Sequence, residues 1–495
     1  MAWDMDSFED PSSTTQWLTN WAARQFGEVI AANTSSIMTT YGKLTARRKY
    51  EDLSTSFGFS TSVYDEAENN YGEWTAILEH AQSLYDSLPS TVQPSFFEMI
   101  LHPVLAGKTV YEIYTKAAVS SKYANEHRVS ANKMVNDVKA AFSNDAAITK
   151  RYHSLLNGKW NHMMDQIHLG YNNWQDPGSN SMPKVTYVSS TTASRSAIMG
   201  VTVQGTTSYY PTNPTLTMSS PINPYTPEKP WLEIFARDNG TFTYTVTSNA
   251  SYASVSNPEG SLTAPGNGTD IRCLVNVDWD NALMGLSTVA LTIKNSNAAG
   301  TSPAIVNVPV YKFDIPAGFK GHIESGGVVS IEASHFGAGS GAEYKTIPDY
   351  GRTLSGVRLD PMTESQKPAA GPVLVYPFYT LSNTTAASLT VYLSSSENSN
   401  PTSPNRFSFS IDGASPTTVQ PVPLANAGSE PSGWSTAVIE NAWVKTAKFG
   451  NLAAGKHELK FWLLEPTIVL TKLVIDVGGL KISALGPPES RFIGS

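Results

Sequence analysis

One cysteine in 495 residues, Cys273, rules out an intrachain disulfide, so the fold must stand on its packed cores. Charge is sparse as well: 15% of the residues are charged, and 34 basic against 42 acidic side chains leave a formal net charge of −8. Arg47, Arg48 and Lys49 form the one compact basic cluster, too little for the phosphate-binding face that a nucleic-acid partner requires. No apolar run reaches the ~18 residues of a membrane span. The opening MAWDMDSFEDP has neither the basic region nor the apolar core of a secretory signal, so the chain reads as soluble and unaddressed. G-x-S-x-G, C-x-x-C and H-E-x-x-H are missing too, which leaves nucleophile-elbow, structural-zinc and zincin chemistry without an anchor. The glycine run GAGSGAEYKT at 337–346 fits neither the P-loop nor the dinucleotide fingerprint and reads as a surface loop.

What is present is a globular composition, 40% hydrophobic and rich in Ser, Thr, Asn, Gly and Pro, in a chain long enough for roughly three domains at about 150 residues each. Five Asn-x-Ser/Thr sequons, at Asn33, Asn239, Asn249, Asn267 and Asn383, sit mostly in polar, turn-like stretches where a secreted protein accommodates glycans.

The texture changes once, at QDPGSNSMP. Before it the periodicity is helical. Leu18, Trp21, Ala22, Phe26 and Val29 follow i, i+3, i+4, i+8 and i+11 behind the cap-like DPSSTT, and further helices are predicted over about 34–53, 64–87, 92–121, 126–142 and 144–171. Residues 1–183 therefore read as an α-helical bundle. After it, short alternating strands between turn clusters divide at PAGFKG into residues 184–316, an immunoglobulin-like β-sandwich carrying TFTYTVTS, DIRCLVNVDW, STVALTIKN and AIVNVPVYK, and residues 317–495, a jelly-roll or galactose-binding-like sandwich. The expected fold class is multidomain, α then β. Helices followed by strands cannot assemble a parallel β/α barrel or a doubly wound sheet.

The stretch GKWNHMMDQIHLGYNNWQDP at 158–177 carries the densest chemistry. On a helix, Trp160, Met164, Ile167 and Tyr171 form a buried stripe, and Asn161, Asp165, His168 and Asn172 a polar one, with His162 at its edge. Asp165 with His168 offers two ligands of a metal site and no third; a glycosidase-type acid/base pair needs a second carboxylate about 5–10 Å away, and the stripe has none. A polar seam between helices is the plain alternative. A solvated face normally carries Lys and Glu, whereas Asn, Asp and His bond directionally, as in a sugar-lined groove, with Tyr171 and Trp174 as stacking surfaces. The stripe is expected to face an open concavity.

WLTNWAARQFG, YGKLTARRKYEDLS, FFEMILHPVLAGKTVYEIY and GKWNHMMDQIHLGYNNWQDP resemble the helical domain of glycoside hydrolase family 115, whose members are xylan α-1,2-glucuronidases. GSLTAPGNGTDIRCLVNVDWD, GGVVSIEASHF and LLEPTIVLTKLVIDVGGLKISALGPPES resemble that family's β-rich C-terminal region, so the resemblance covers nearly the whole chain. Such proteins carry an N-terminal α/β domain and a catalytic barrel ahead of the helical region, and MAWDMDSF resembles the segment just beyond that barrel. The resemblance therefore implies the C-terminal half of such an enzyme, with no position here for its catalytic carboxylates. Two functions stay open: part of a glucuronidase acting on the (methyl)glucuronic acid side chains of glucuronoxylan, or a non-catalytic carbohydrate-binding or structural protein. The resemblance further implies an extracellular setting and a plant cell-wall polysaccharide as partner, with room for a homodimer; the charge and the short apolar runs point to no nucleic acid and no membrane, and no organic cofactor is expected. SIEASHF and KLVIDVGG resemble the first and last strands of carbohydrate-binding jelly rolls that hold a structural calcium, which would place Glu332 and Asp476 on one ion.

Overall fold

A computed structural model describes residues 6–8, 10, 12–55, 57–171, 178–189, 198–265, 270–297, 301–337, 343–400 and 402–494. The helical part comprises α1 (Ser13–Phe26), α2 (Glu28–Arg47), α3 (Tyr50–Thr55), α4 (Glu66–Ser87), α5 (Gln93–Phe96), α6 (His102–Asn125) and α7 (Ser130–Gly158), with a π-helical turn over Phe97–Leu101 joining α5 to α6. Its centre is aromatic: Trp74 and Tyr111 stack at 4.9 Å, and Tyr41 meets Trp74 edge-on at 5.9 Å. Gly107 of α6 allows this approach, since a β-carbon there would stand 2.7 Å from the Trp74 ring.

Three helical expectations are corrected. Ala22 and Phe26 are buried as the periodicity requires, but Gly27 adopts φ 99° and ends α1, so Val29 falls on α2 and is 95% exposed. The break expected at 143 is absent, because Ser143 and Asn144 continue the helix and α7 joins two predicted segments. The helix expected to reach 171 stops at Gly158: Leu155 leaves helical geometry, and Leu156 and Asn157 turn left-handed at φ 49° and 57°.

The first sandwich packs two five-stranded sheets. One runs Tyr209–Tyr210, Met199–Val203, Trp231–Ala236, Ile271–Val277, Ala253–Val255, and the other Thr215–Thr217, Ala304–Lys312, Gly285–Asn295, Gly240–Ser248, Glu259–Ala264. Alternation does the sorting, as Ala304, Val306, Val308 and Val310 of one strand are all fully buried. In the second sandwich, one six-stranded sheet runs Thr417–Val419, Phe407–Ile411, Gly455–Leu463, Leu374–Thr380, Gly321–Ile323, Phe492–Ile493. The opposing sheet contains Tyr344–Pro348, Ser355–Leu359, Leu470–Asp476, Thr384–Leu393 and Trp443–Leu452, with Val328–Glu332 also paired to Leu470–Asp476. The architecture is thus α then β.

That last pairing corrects the calcium expectation. Its register sets Val328 opposite Asp476 and Glu332 opposite Lys472. Four residues along a strand separate the two carboxylates by about 13 Å, too far to share an ion. Each is also committed: Asp476 Oδ1 accepts the amides of Gly478, Gly479 and Leu480, while buried Glu332 lies 3.4 Å from Lys472 Nζ and accepts the Thr353 hydroxyl at 2.8 Å.

Buried charge joins the domains. Arg47 and Arg48 face inward: Arg47 donates to the Arg352 carbonyl at 2.9 Å and to both Glu73 oxygens, and Arg48 shares Glu440 with Arg352. Glu66 accepts amides from Ser60, Ala484 and Leu485; burial pushes its carboxyl up, opposed by those three donors. Arg128, its side chain fully buried, pairs with Glu126, with Glu233 at 2.8 Å and with Asp270 at 2.9 Å, and lies 4.2 Å from the ring centres of Tyr123 and Phe235. Truncating one member of such a group strands the others in low dielectric. Arg128→Ala is expected to destabilise the protein by about 3–5 kcal/mol in denaturant unfolding, against under about 1 kcal/mol for Lys133→Ala at the exposed Lys133–Asp137 pair.

Candidate functional site

Past α7 the chain folds back on its own helix. The Met164 amide donates to His153 Nε2 at 3.1 Å, which puts the proton of a neutral His153 ring on Nδ1. Trp160 and Met164 pack on the helical core as expected of the apolar stripe, Leu169 is fully buried, and half-buried Tyr171 accepts the Ser54 hydroxyl at its carbonyl. The local cause is Leu156-Asn157-Gly158, where Asn and Gly tolerate left-handed backbone and permit the reversal.

The polar residues therefore do not lie along a helix, and they separate. Asn161, His162 and Asp165 are exposed on the loop, with His162 Nδ1 2.6 Å from Asp165 Oδ2 and His153 Nε2 3.6 Å from Asp165 Oδ1. His168 turns inward instead. Its Nε2 lies 2.9 and 3.1 Å from the two oxygens of buried Asp145, and its Nδ1 3.0 Å from the Gln166 carbonyl. Both ring nitrogens thus face acceptors, which favours the imidazolium. The hydrogen bond to Asp145 raises the His168 pKa above its ordinary 6.5, against the opposing effect of burial. Asp165 and His168 consequently do not converge as metal ligands. Asn180 closes the loop by accepting the amides of His168 and Leu169, each at 2.9 Å. Asn172 and Trp174 lie outside the described residues.

Of the sequons, Asn33, Asn239, Asn249 and Asn383 are exposed, and Asn267 lies outside the described residues. No helix is long and apolar enough to cross a membrane among the described residues. Two seam cavities are lined by residues other than 158–171: one of about 150 Å³ where the three domains meet, around Tyr64, Met218, Pro230 and Pro487, and one of about 490 Å³ between α1, α2 and the last sandwich, around Leu18, Lys43 and Tyr350. Sequence reasoning missed a gathering of His322, His335 and Glu489, whose ligand atoms lie within 4.8 Å of one another. Glu489 stands more than 150 positions from either histidine, and only strand pairing brings it there.

Residues 321–489 match the glycosyl hydrolase family 115 C-terminal domain, and residues 1–52 match glycosyl hydrolase family 115. Among solved structures the chain is similar to a family GH115 4-O-methyl-α-glucuronidase, BtGH115A, with specificity for decorated arabinogalactans: 14% identity, TM-score 0.51, over 93% of this chain and 41% of that one. The chain spans less than half the length of that protein, and at this identity the likeness is one of fold. Partial similarity extends to the C-terminal family 6 carbohydrate-binding module of a laminarinase from Zobellia galactanivorans, at 14% identity, TM-score 0.21, 30% of this chain and 98% of that one. It extends also to a family 35 module from Cellvibrio japonicus, at 15% identity, TM-score 0.21, 31% and 94%. No curated protein matches the chain.

The His168–Asp145 pair carries a pH dependence of definite sign. A raised folded pKa contributes stability that is present in full below about 6.5 and is lost as pH rises through the folded value. In Asp145→Asn that dependence should vanish, with the His168 ring resonance, followed by NMR, titrating at lower pH than in the wild type.

Proposed function

As a member of glycosyl hydrolase family 115, this chain, we propose, supplies the helical and β-sandwich portion of an α-glucuronidase that removes (methyl)glucuronic acid side chains from glucuronoxylan. The observation that carries this reading is the order of parts: a helical domain and two sandwiches, similar in fold over 93% of the chain to a 4-O-methyl-α-glucuronidase. Among the described residues there is no parallel β/α barrel, and the loop carboxylate Asp165 is engaged by His162 rather than by a second acid. We therefore assign the hydrolytic carboxylates to protein outside residues 1–495, and to this chain the shaping of the groove.

Within that assignment the exposed Asn161, His162 and Asp165 are the edge that reads sugar hydroxyls, since amide, imidazole and carboxylate fix donor and acceptor directions in a way that a Lys/Glu surface does not. His168 positions the loop through its pairing with Asp145. Tyr171 stays a lining candidate through its half-buried ring. An extracellular setting on plant cell-wall polysaccharide fits the exposed sequons at Asn239, Asn249 and Asn383. Hydrolysis of this kind calls for no organic cofactor. A second substrate, glucuronic-acid-decorated arabinogalactan, is favoured by the specificity of the solved relative. A non-catalytic carbohydrate-binding role is the second functional class.

Purified chain is expected to release no methylglucuronic acid from glucuronoxylan or arabinogalactan while retaining affinity for one of them in calorimetry. Asp165→Ala should weaken that affinity several-fold with an unchanged melting temperature. Release of uronic acid that a substitution within 1–495 abolishes would overturn the assignment of the carboxylates; absence of any polysaccharide affinity would overturn the groove assignment.

A further inference from the structure

The final strand, Phe492–Ile493, pairs antiparallel with Gly321–Ile323, setting Phe492 opposite His322. The segment just before it is thereby drawn across the turn that follows Val328–Glu332. Glu489 arrives with its Oε1 2.7 Å from His335 Nδ1 and 3.3 Å from His322 Nε2. The same oxygen accepts the Glu332 amide at 3.0 Å, so three groups converge on one atom. His322 is 1% exposed, with the Phe492 ring edge-on 5.1 Å away, whereas the His335 side chain is 46% exposed and opens the cluster to solvent.

We propose that His322, His335 and Glu489 form a binding site for a divalent transition metal of the zinc type. Two imidazoles and a carboxylate are a donor set of zinc sites that keep a fourth position open to water. Zinc held at about 2.0–2.2 Å by tetrahedral ligands sets those ligand atoms about 3.3 Å apart, the spacing these side chains reach with small adjustments. The Glu332 amide supplies the outer hydrogen bond that orients the carboxylate. Calcium is disfavoured, because it calls for six to eight oxygens and two of the three donors here are nitrogens. The site differs in position and chemistry from the Glu332–Asp476 expectation and is independent of the glycosidase reading. Bound metal would fasten the end of the last sandwich to its first strand.

The test uses tag-free protein, zinc chloride and, in parallel, calcium chloride. A ligand that binds the native state alone raises its stability by mass action. The wild type should bind about one zinc by calorimetry and show a saturable rise of about 2–4 °C in melting temperature that EDTA reverses, with no response to calcium. His335→Ala, at an exposed position where folding is not at stake, should lose both binding and shift. His162→Ala, at a separate histidine–carboxylate pair, should keep both. No zinc response in the wild type, an undiminished response in His335→Ala, loss of binding in His162→Ala, or a calcium response that His335→Ala removes would each overturn the proposal.

Discussion

A guanidinium taken fully out of water has to find its counter-charges in the protein, and Arg128 finds them on both sides of a domain seam. Glu126 comes from its own end of the helical part, Glu233 and Asp270 from the first sandwich, and the rings of Tyr123 and Phe235 lie near its planar head. None of these partners is affordable alone at such burial, so the helical part and the sandwich are held in one relative placement. Arg47, Arg48 and Arg352 repeat the device between the helical part and the last sandwich, through Glu73 and Glu440. Planar five-donor heads suit the task better than ammonium groups, since several acceptors can be met at once without losing the fixed geometry.

The same residues mark where sequence reading reached its limit. Arg47, Arg48 and Lys49 look like a small basic patch in one dimension, yet only Lys49 is exposed. Burial of a charge depends on partners hundreds of positions away, such as Glu440, and local pattern holds no record of them. Period and alternation, by contrast, are local, and they gave the α-then-β order, the buried Ala22 and Phe26, and the inward Val306, Val308 and Val310.

The loop after α7 shows the intermediate case. Its residue types pointed to directional polar chemistry, and Asn161, His162 and Asp165 do stand in solvent. The helical projection failed because backbone conformation at Leu156-Asn157-Gly158 outweighed the apolar period running through Trp160 and Met164. Those two side chains still reach the core, by a reversed path. His168 could not be separated from the others without Asp145, whose position on α7 only becomes relevant once the chain folds back. Likewise Glu332 and Asp476 were credible as a pair until register set them four positions apart.

Glu66, near the start of α4, accepts two of its three amides from residues 418 and 419 positions later. At typical synthesis rates of about 5–20 residues per second, that carboxylate waits on the order of 20 to 80 s before Ala484 and Leu485 emerge. Until then the helical part carries an acid with one of its three amide donors in place at what will become an interior surface, and it cannot reach its final closure before those two residues are made. The interval between making the helices and sealing them is therefore set by the ribosome rather than by the helices themselves.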